Sequence, residues 1–183
     1  LCLPQIIHNK RYKKTQGLSL LMHTIFFSSY LTDLIYGFGL GMPWQYKTVT
    51  LCGILCLFVQ HVQLARYQKL TRQYVMSSLI LLLLMCFTIL TVIAVHLSIN
   101  SYNTIGLLAQ ILAVIYLFPQ IVKNYHIKDA FSVSAGFLLI EIASSCLDTV
   151  SAFALQWNYP SKIGPPVIIV CGLIVLLQYY YYN

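Results

Sequence analysis

Six long runs of this chain carry almost no charge, and such runs have few ways to fold. They lie at about Gly17–Leu40, Thr48–Leu64, Tyr74–Leu97, Thr104–Lys123, Ser132–Gln156 and Gly164–Tyr182. A bilayer-crossing helix needs about 20 mostly apolar residues at about 1.5 Å rise each. In lipid its backbone must satisfy its own hydrogen bonds. The expected fold is therefore all-α and transmembrane. Only 8% of the residues are charged, against about 25% in soluble domains, too few to cover a water-soluble surface. Leu1–Asn9 reads as the tail of a further, truncated span, which brings the expectation to a seven-helix bundle. It is not read as a signal peptide, because no basic segment or small-residue cleavage site flanks an apolar core.

A net charge of +7 raises the question of nucleic acid, and the distribution of the charge argues against it. Lys10, Arg11, Lys13 and Lys14 follow the first span, Arg66, Lys69 and Arg72 the third, and Lys123 and Lys128 the fifth. The alternate loops hold only Lys47 and Lys162. This is a positive-inside pattern. It puts the basic loops and the C-terminus in the cytoplasm, with the bilayer rather than nucleic acid as the surrounding partner. The cysteines Cys2, Cys52, Cys56, Cys86, Cys146 and Cys171 all fall in apolar segments. They are expected to pack as small hydrophobes rather than to form disulfides or bind a metal. No cofactor is expected.

Sliding the chain by 115 residues superposes it on itself without a gap. Pro4, Gln5, Ile6, Asn9, Lys13, Ser19, Ile25, Ser29, Asp33, Phe38 and Leu40 meet Pro119, Gln120, Ile121, Asn124, Lys128, Ser134, Ile140, Ser144, Asp148, Phe153 and Leu155. Several of these are polar or Pro, so shared hydrophobicity does not explain them. The implied order is a first three-helix repeat (1–66), a linker helix (67–101) and a second repeat (102–183). The single linker makes the copies parallel, a known transporter plan.

The segments PQIIHNKRYKKTQGLS and PQIVKNYHIKDAFSVS resemble the PQ-loop family, which includes cystinosin, lysosomal cationic amino-acid exporters and, more distantly, the SWEET sugar transporters. The resemblance covers essentially the whole chain. The second copy has Ser132 where the first has Gly17, so a different turn is expected there. In cystinosin-like members an acid 22 residues after the second Pro is linked to proton coupling. That count from Pro119 lands on Glu141. Where those members carry another acid in the last span, Gly172 stands here.

Pro kinks a helix by removing a donor and clashing one turn back, and Gln can both donate and accept. Pro4-Gln5 and Pro119-Gln120 are therefore expected to form two hinges, each Gln compensating the carbonyl its own Pro frees. Intramembrane acids cost about 2.5–3.5 kcal/mol on insertion scales, so Glu141, Asp148 and Asp33 are candidate proton-coupling residues. Asp33 and Asp148 are expected to face each other and share a proton or hold a cation; hydrogen bonding between helices is the competing role for all three. Asn9, Asn124, Tyr116, Gln110, His23, Ser144 and Ser145 are candidate cavity residues. His61 and His96 are expected near interfaces, as are Trp44 and Trp157.

The expected function is a transporter of a small solute, an amino acid of the cystine or cationic class, coupled to protons by alternating access. The membrane would be lysosome-like in a eukaryote and the inner membrane in a bacterium. A sorting receptor of KDEL-receptor type and a SWEET-like sugar facilitator remain the alternatives. No nucleophile–base pair, metal quartet or phosphate loop points to an enzyme.

Overall fold

A computed structural model describes residues 2–68, 71–94, 97–157 and 159–182; Leu1, Lys69 and His96 lie outside them. All regular structure among the described residues is helical: α1 (Leu3–Tyr12), α2 (Leu20–Gly39), α3 (Trp44–Gln68), α4 (Thr71–Ala94), α5 (Ile99–Ile115), α6 (Phe118–Ile127), α7 (Ala135–Ala154) and α8 (Tyr159–Tyr182). α5 and α6 are halves of one 29-residue span, broken just before Pro119. The backbone N–H groups of Gln120 and Ile121 both turn to the Leu117 carbonyl, at 3.0 and 2.9 Å.

Among the described residues, five stretches are long and apolar enough to cross a membrane: Trp44–Gln68, Arg72–Thr91, Ile99–Ile127, Ala135–Ala154 and Ser161–Tyr182. The other expected run, Gly17–Leu40, forms α2. This helix matches α7 in length, but His23, Ser28, Ser29 and Asp33 dilute its apolar content. It sits inside the bundle against α3, α4, α5 and α6, and its polar groups find protein partners there. Thr24 Oγ1 lies 2.8 Å from Ser77 Oγ on α4, and Ser29 Oγ donates to the Ala109 carbonyl on α5. Close approach is made possible by glycines. The Tyr36 ring fills the space a Cβ on Gly106 would take, and the Tyr102 ring does the same at Gly39, the small-residue packing that membrane helices use.

The 115-residue register is visible in the caps. Ser19 Oγ accepts from Met22 N–H and Ser134 Oγ from Phe137 N–H, as expected of N-cap serines. Lys13 and Lys128 both close their short helices in the left-handed region at φ 52°. The register also runs further than Leu40/Leu155, through Lys47/Lys162, Cys56/Cys171 and Gln63/Gln178. Lys47 lies over the Phe38 ring and Lys162 over the equivalent Phe153 ring.

The two Pro-Gln segments hold each other's repeat. Gln5 Nε2 donates to the Ser132 carbonyl at 2.9 Å, and Gln5 Oε1 accepts from Ser134 N–H at 2.7 Å. Gln120 Nε2 donates to the Gly17 carbonyl at 2.8 Å, and its Oε1 accepts from Ser19 N–H at 2.9 Å. Each Gln also donates to the Asn one turn on, Asn9 or Asn124, at 2.7 Å. Those Asn donate to Gln63 on α3 and Gln178 on α8, both at 3.1 Å. Gln63 and Gln178 in turn donate to the carbonyls of Ile6 and Ile121. The expectation that each Gln serves its own helix is therefore corrected: the amide reaches across to the other repeat's loop. The carbonyl and N–H it finds there belong to the turn entering α7 or α2, and would otherwise be buried without partners.

The turns at Gly17 and Ser132 were expected to differ, and they have the same form. Leu18 N–H bonds the Thr15 carbonyl at 2.9 Å and Val133 N–H the Ala130 carbonyl at 3.0 Å. The difference is one of space. Gly17 N–H donates to Ser132 Oγ at 3.0 Å, and a Cβ on Gly17 would lie 2.5 Å from that oxygen. The two equivalent positions meet head-on, and only one has room for a side chain.

The cysteines are also corrected. All six are free, but only Cys2 is buried; Cys52, Cys86 and Cys146 are exposed on the outer faces of their helices, where lipid is as good a solvent for a thiol as the core.

Two stability outcomes are expected. Gln120→Ala removes three hydrogen bonds and strands Ser19 N–H, so it lowers unfolding stability by about 2–4 kcal/mol in a detergent titration. Gly17→Ser costs about 1–3 kcal/mol through overpacking, and adding Ser132→Gly restores most of it, which a double-mutant cycle measures.

Candidate functional site

At the end of the bundle away from the Pro-Gln segments, α2, α3, α5, α7 and α8 surround a cavity of about 560 Å³. Its mouth is formed by Met42, Pro43 and Gln45 at the start of α3 and by Trp157 and Ser161 at the start of α8. Its deep end is formed by Phe26 and Glu141, which occupy equivalent positions in α2 and α7.

All three intramembrane acids line this space. Asp33 and Asp148 are repeat mates lying two turns nearer the mouth than Phe26 and Glu141. They are held differently. Asp33 Oδ1 accepts from Tyr46 OH at 2.5 Å and Oδ2 from Thr50 Oγ1 at 3.1 Å, both from α3. The positions equivalent to Tyr46 and Thr50 on α8 are Ser161 and Pro165, neither of which offers the same pair of donors. Asp148 presents its carboxylate openly to the cavity and is exposed.

Glu141 is placed by its helix face. Ser144, Ser145 and Asp148 follow at spacings that share one side of α7, and all line the cavity. Glu141 Oε1 accepts from Tyr116 OH at 2.9 Å. Its Oε2 is buried without a partner, which costs free energy unless a proton or ligand meets it. Tyr116 in turn stacks flat on Phe26, ring centroids 4.0 Å apart at 9°, and Phe26 meets Tyr30 edge-on. This aromatic layer joins the repeats and separates the cavity from the clamped end.

Other candidates fall elsewhere. Asn9 and Asn124 belong to the clamp, fully buried, and do not line the cavity, because the short helices that carry them lie at the opposite end of the bundle. Tyr116 stands behind Glu141 rather than on the cavity wall. His23 faces α3 and α4, stacked on His61 at 5.3 Å, which stacks on Tyr74 at 4.8 Å and contacts Ser78 Oγ at 3.0 Å. His61, expected at an interface, is therefore buried between helices. Gln110 lines the cavity, and so does Trp157, expected as an interfacial anchor; the left-handed turn at Gln156 folds the chain back over the mouth, as Gly41 does in the first repeat. Trp44 is exposed. No group of three or more His, Cys, Asp or Glu among the described residues is arranged to hold a metal.

The family model for the PQ loop repeat matches residues 2–46 and 102–161, both Pro-Gln segments with the helices that follow them. The chain belongs to the PQ-loop repeat family. It is an all-α integral membrane protein of that family, with two PQ-loop repeats in register. Compared with curated proteins and with solved structures, it finds no match.

Tyr46, Thr50 and the Gln63/Gln178 pair were missed as parts of the PQ-loop machinery. The last pair carried a signal, since the same 115-residue offset places Gln63 on Gln178. Tyr46 and Thr50 carried none, because neither has a like residue in the second repeat.

Tyr116→Phe leaves both Glu141 oxygens unpartnered and is expected to cost about 1–3 kcal/mol of unfolding stability. The part of this cost that depends on the acid is read from a double-mutant cycle with Glu141→Gln.

Proposed function

We propose that this PQ-loop protein transports a small amine-bearing solute, of the cystine or cationic amino-acid class, in exchange with or alongside protons. The observation that supports this most is Glu141. It is a carboxylate at the deep end of a solute-sized cavity, with one oxygen held by Tyr116 and the other buried and unpartnered. A protein that must keep such a group uses it: a site that takes up a proton in one state and releases it in another is the simplest use. Asp33 and Asp148 nearer the mouth are the second and third groups of the same path.

The basic Pro-Gln end faces the cytoplasm on the positive-inside count, so the cavity opens to the lumen or exterior. The membrane is then lysosome-like in a eukaryote or the inner membrane in a bacterium. In this arrangement the clamp of Gln5 and Gln120 is the closed cytoplasmic gate, and Pro4 and Pro119 are the hinges that let it part. Alternating access follows when the two loops separate and the Tyr116–Phe26 layer opens. Its partners are the solute, protons and the bilayer; no nucleic acid, no cofactor and no enzymatic step enters the scheme.

The test is flux in proteoliposomes across a range of pH. Wild-type flux of the carried solute responds to a proton gradient; Glu141→Gln, which keeps an acceptor for Tyr116 but cannot ionise, loses the pH response and at least about tenfold in gradient-driven uptake. Asp129→Asn, in the loop and outside the cavity, leaves both unchanged. Full retention of gradient-driven uptake in Glu141→Gln rejects the coupling role.

A further inference from the structure

The polar groups of the cavity are one-sided. Three carboxylates line it, and among the described residues no Lys, Arg or His does. Its remaining polar side chains are hydroxyls, the amides of Gln45 and Gln110 and the indole N–H of Trp157. Two polar side-chain atoms in the lining are buried and unpartnered, Glu141 Oε2 and Ser161 Oγ, each on a residue only 5% exposed. They lie on different helices.

The apolar part of the wall is aromatic. Phe26, Tyr30, Tyr46 and Trp157 line the cavity, with Tyr46 meeting Trp157 edge-on at 6.3 Å. Aromatic faces attract organic cations and cover methylene chains, but do nothing for a small hydrated metal ion.

We propose that the preferred ligand of this cavity is an aliphatic diamine, bound through an ammonium group at each level of the carboxylates and carrying no carboxylate of its own. The proposal rests on the transport reading, keeps its amine-bearing solute and replaces the amino-acid class with one that has no carboxylate. An amino acid brings an anion with its ammonium. Among the described residues that anion finds no cationic partner in the cavity and would be buried beside three acids, where like charges repel. A diamine brings only the charge the site is built to accept. Seven residues separate Glu141 from Asp148, about 10 Å along the helix axis. A hydrogen bond of about 2.9 Å at each end leaves about 5 Å between the two nitrogens, the extended span of about three methylenes, so a chain of about five methylenes bridges the two levels with slack. The methylenes then lie against the Tyr and Trp rings.

Lysine and cadaverine test this directly, because they differ only by the carboxylate. Purified full-length chain is examined by thermal shift and by proteoliposome uptake, with each probe at equal concentration and pH. The expected result is that cadaverine raises the melting temperature and is carried with a preference of about tenfold or more over lysine, and that Asp148→Asn shrinks this ratio. Lysine bound and carried as well as cadaverine overturns the proposal and leaves the transport reading standing. Cadaverine bound but not carried keeps the proposal and rejects transport. Neither probe bound nor carried overturns the proposal, and flux of any other solute then decides the transport reading on its own.

Discussion

Two glutamine side chains connect the repeats at the basic end, each satisfying a backbone carbonyl and a backbone N–H that belong to the other repeat. In a membrane the hydrophobic effect gives helices little reason to stay together once inserted, so buried hydrogen bonds and close packing must do it. The clamp supplies eight hydrogen bonds in symmetric pairs: four between the repeats, two from Gln to Asn within α1 and α6, and two from those Asn to Gln63 and Gln178. It also fixes where α2 and α7 begin, because each Gln holds the N–H of the Ser that caps the opposite helix. The position of Phe26 and Glu141, two turns further along, follows from that start.

The repeats are alike where they hold the bundle together and unlike where they face the cavity. The caps, the left-handed lysines and the Lys-over-Phe contacts come in pairs. Along the cavity Phe26 stands opposite Glu141, Tyr30 opposite Ser145, and Tyr46 opposite Ser161. At these three positions the first repeat supplies a ring and the second an oxygen. A similar division appears at the clamped end, where Lys123 donates to the carbonyls of Gln16 and Leu18 while its counterpart, His8, reaches the equivalent Phe131 carbonyl. There one repeat uses an amine and the other an imidazole ring.

Much of this was legible from residue order. The apolar runs defined the helices because lipid leaves a backbone no alternative, and the 115-residue offset paired them. Asp33, Glu141 and Asp148 could be put on cavity-facing sides by helical periodicity alone. Asn9, Asn124 and His23 could not be placed, since polarity inside a span says that a partner exists without saying which. The short helix after each Pro carries Asn away from the cavity, and α3 with α4 takes up His23. Tyr46 was unreadable for the same reason: a tyrosine near a helix start looks like an interfacial anchor until Asp33 is found within its reach.

The meeting of Gly17 with Ser132 has an evolutionary consequence. Two identical copies of this repeat, related by an exact two-fold axis, would set the same residue against itself at that point. A homodimer could then carry glycine there or something little larger, but not two serines. A chain that carries both halves lets them mutate separately, and so can put a hydroxyl on one side and leave the other bare. The Gly17–Ser132 bond is thus a contact that two identical copies could not make.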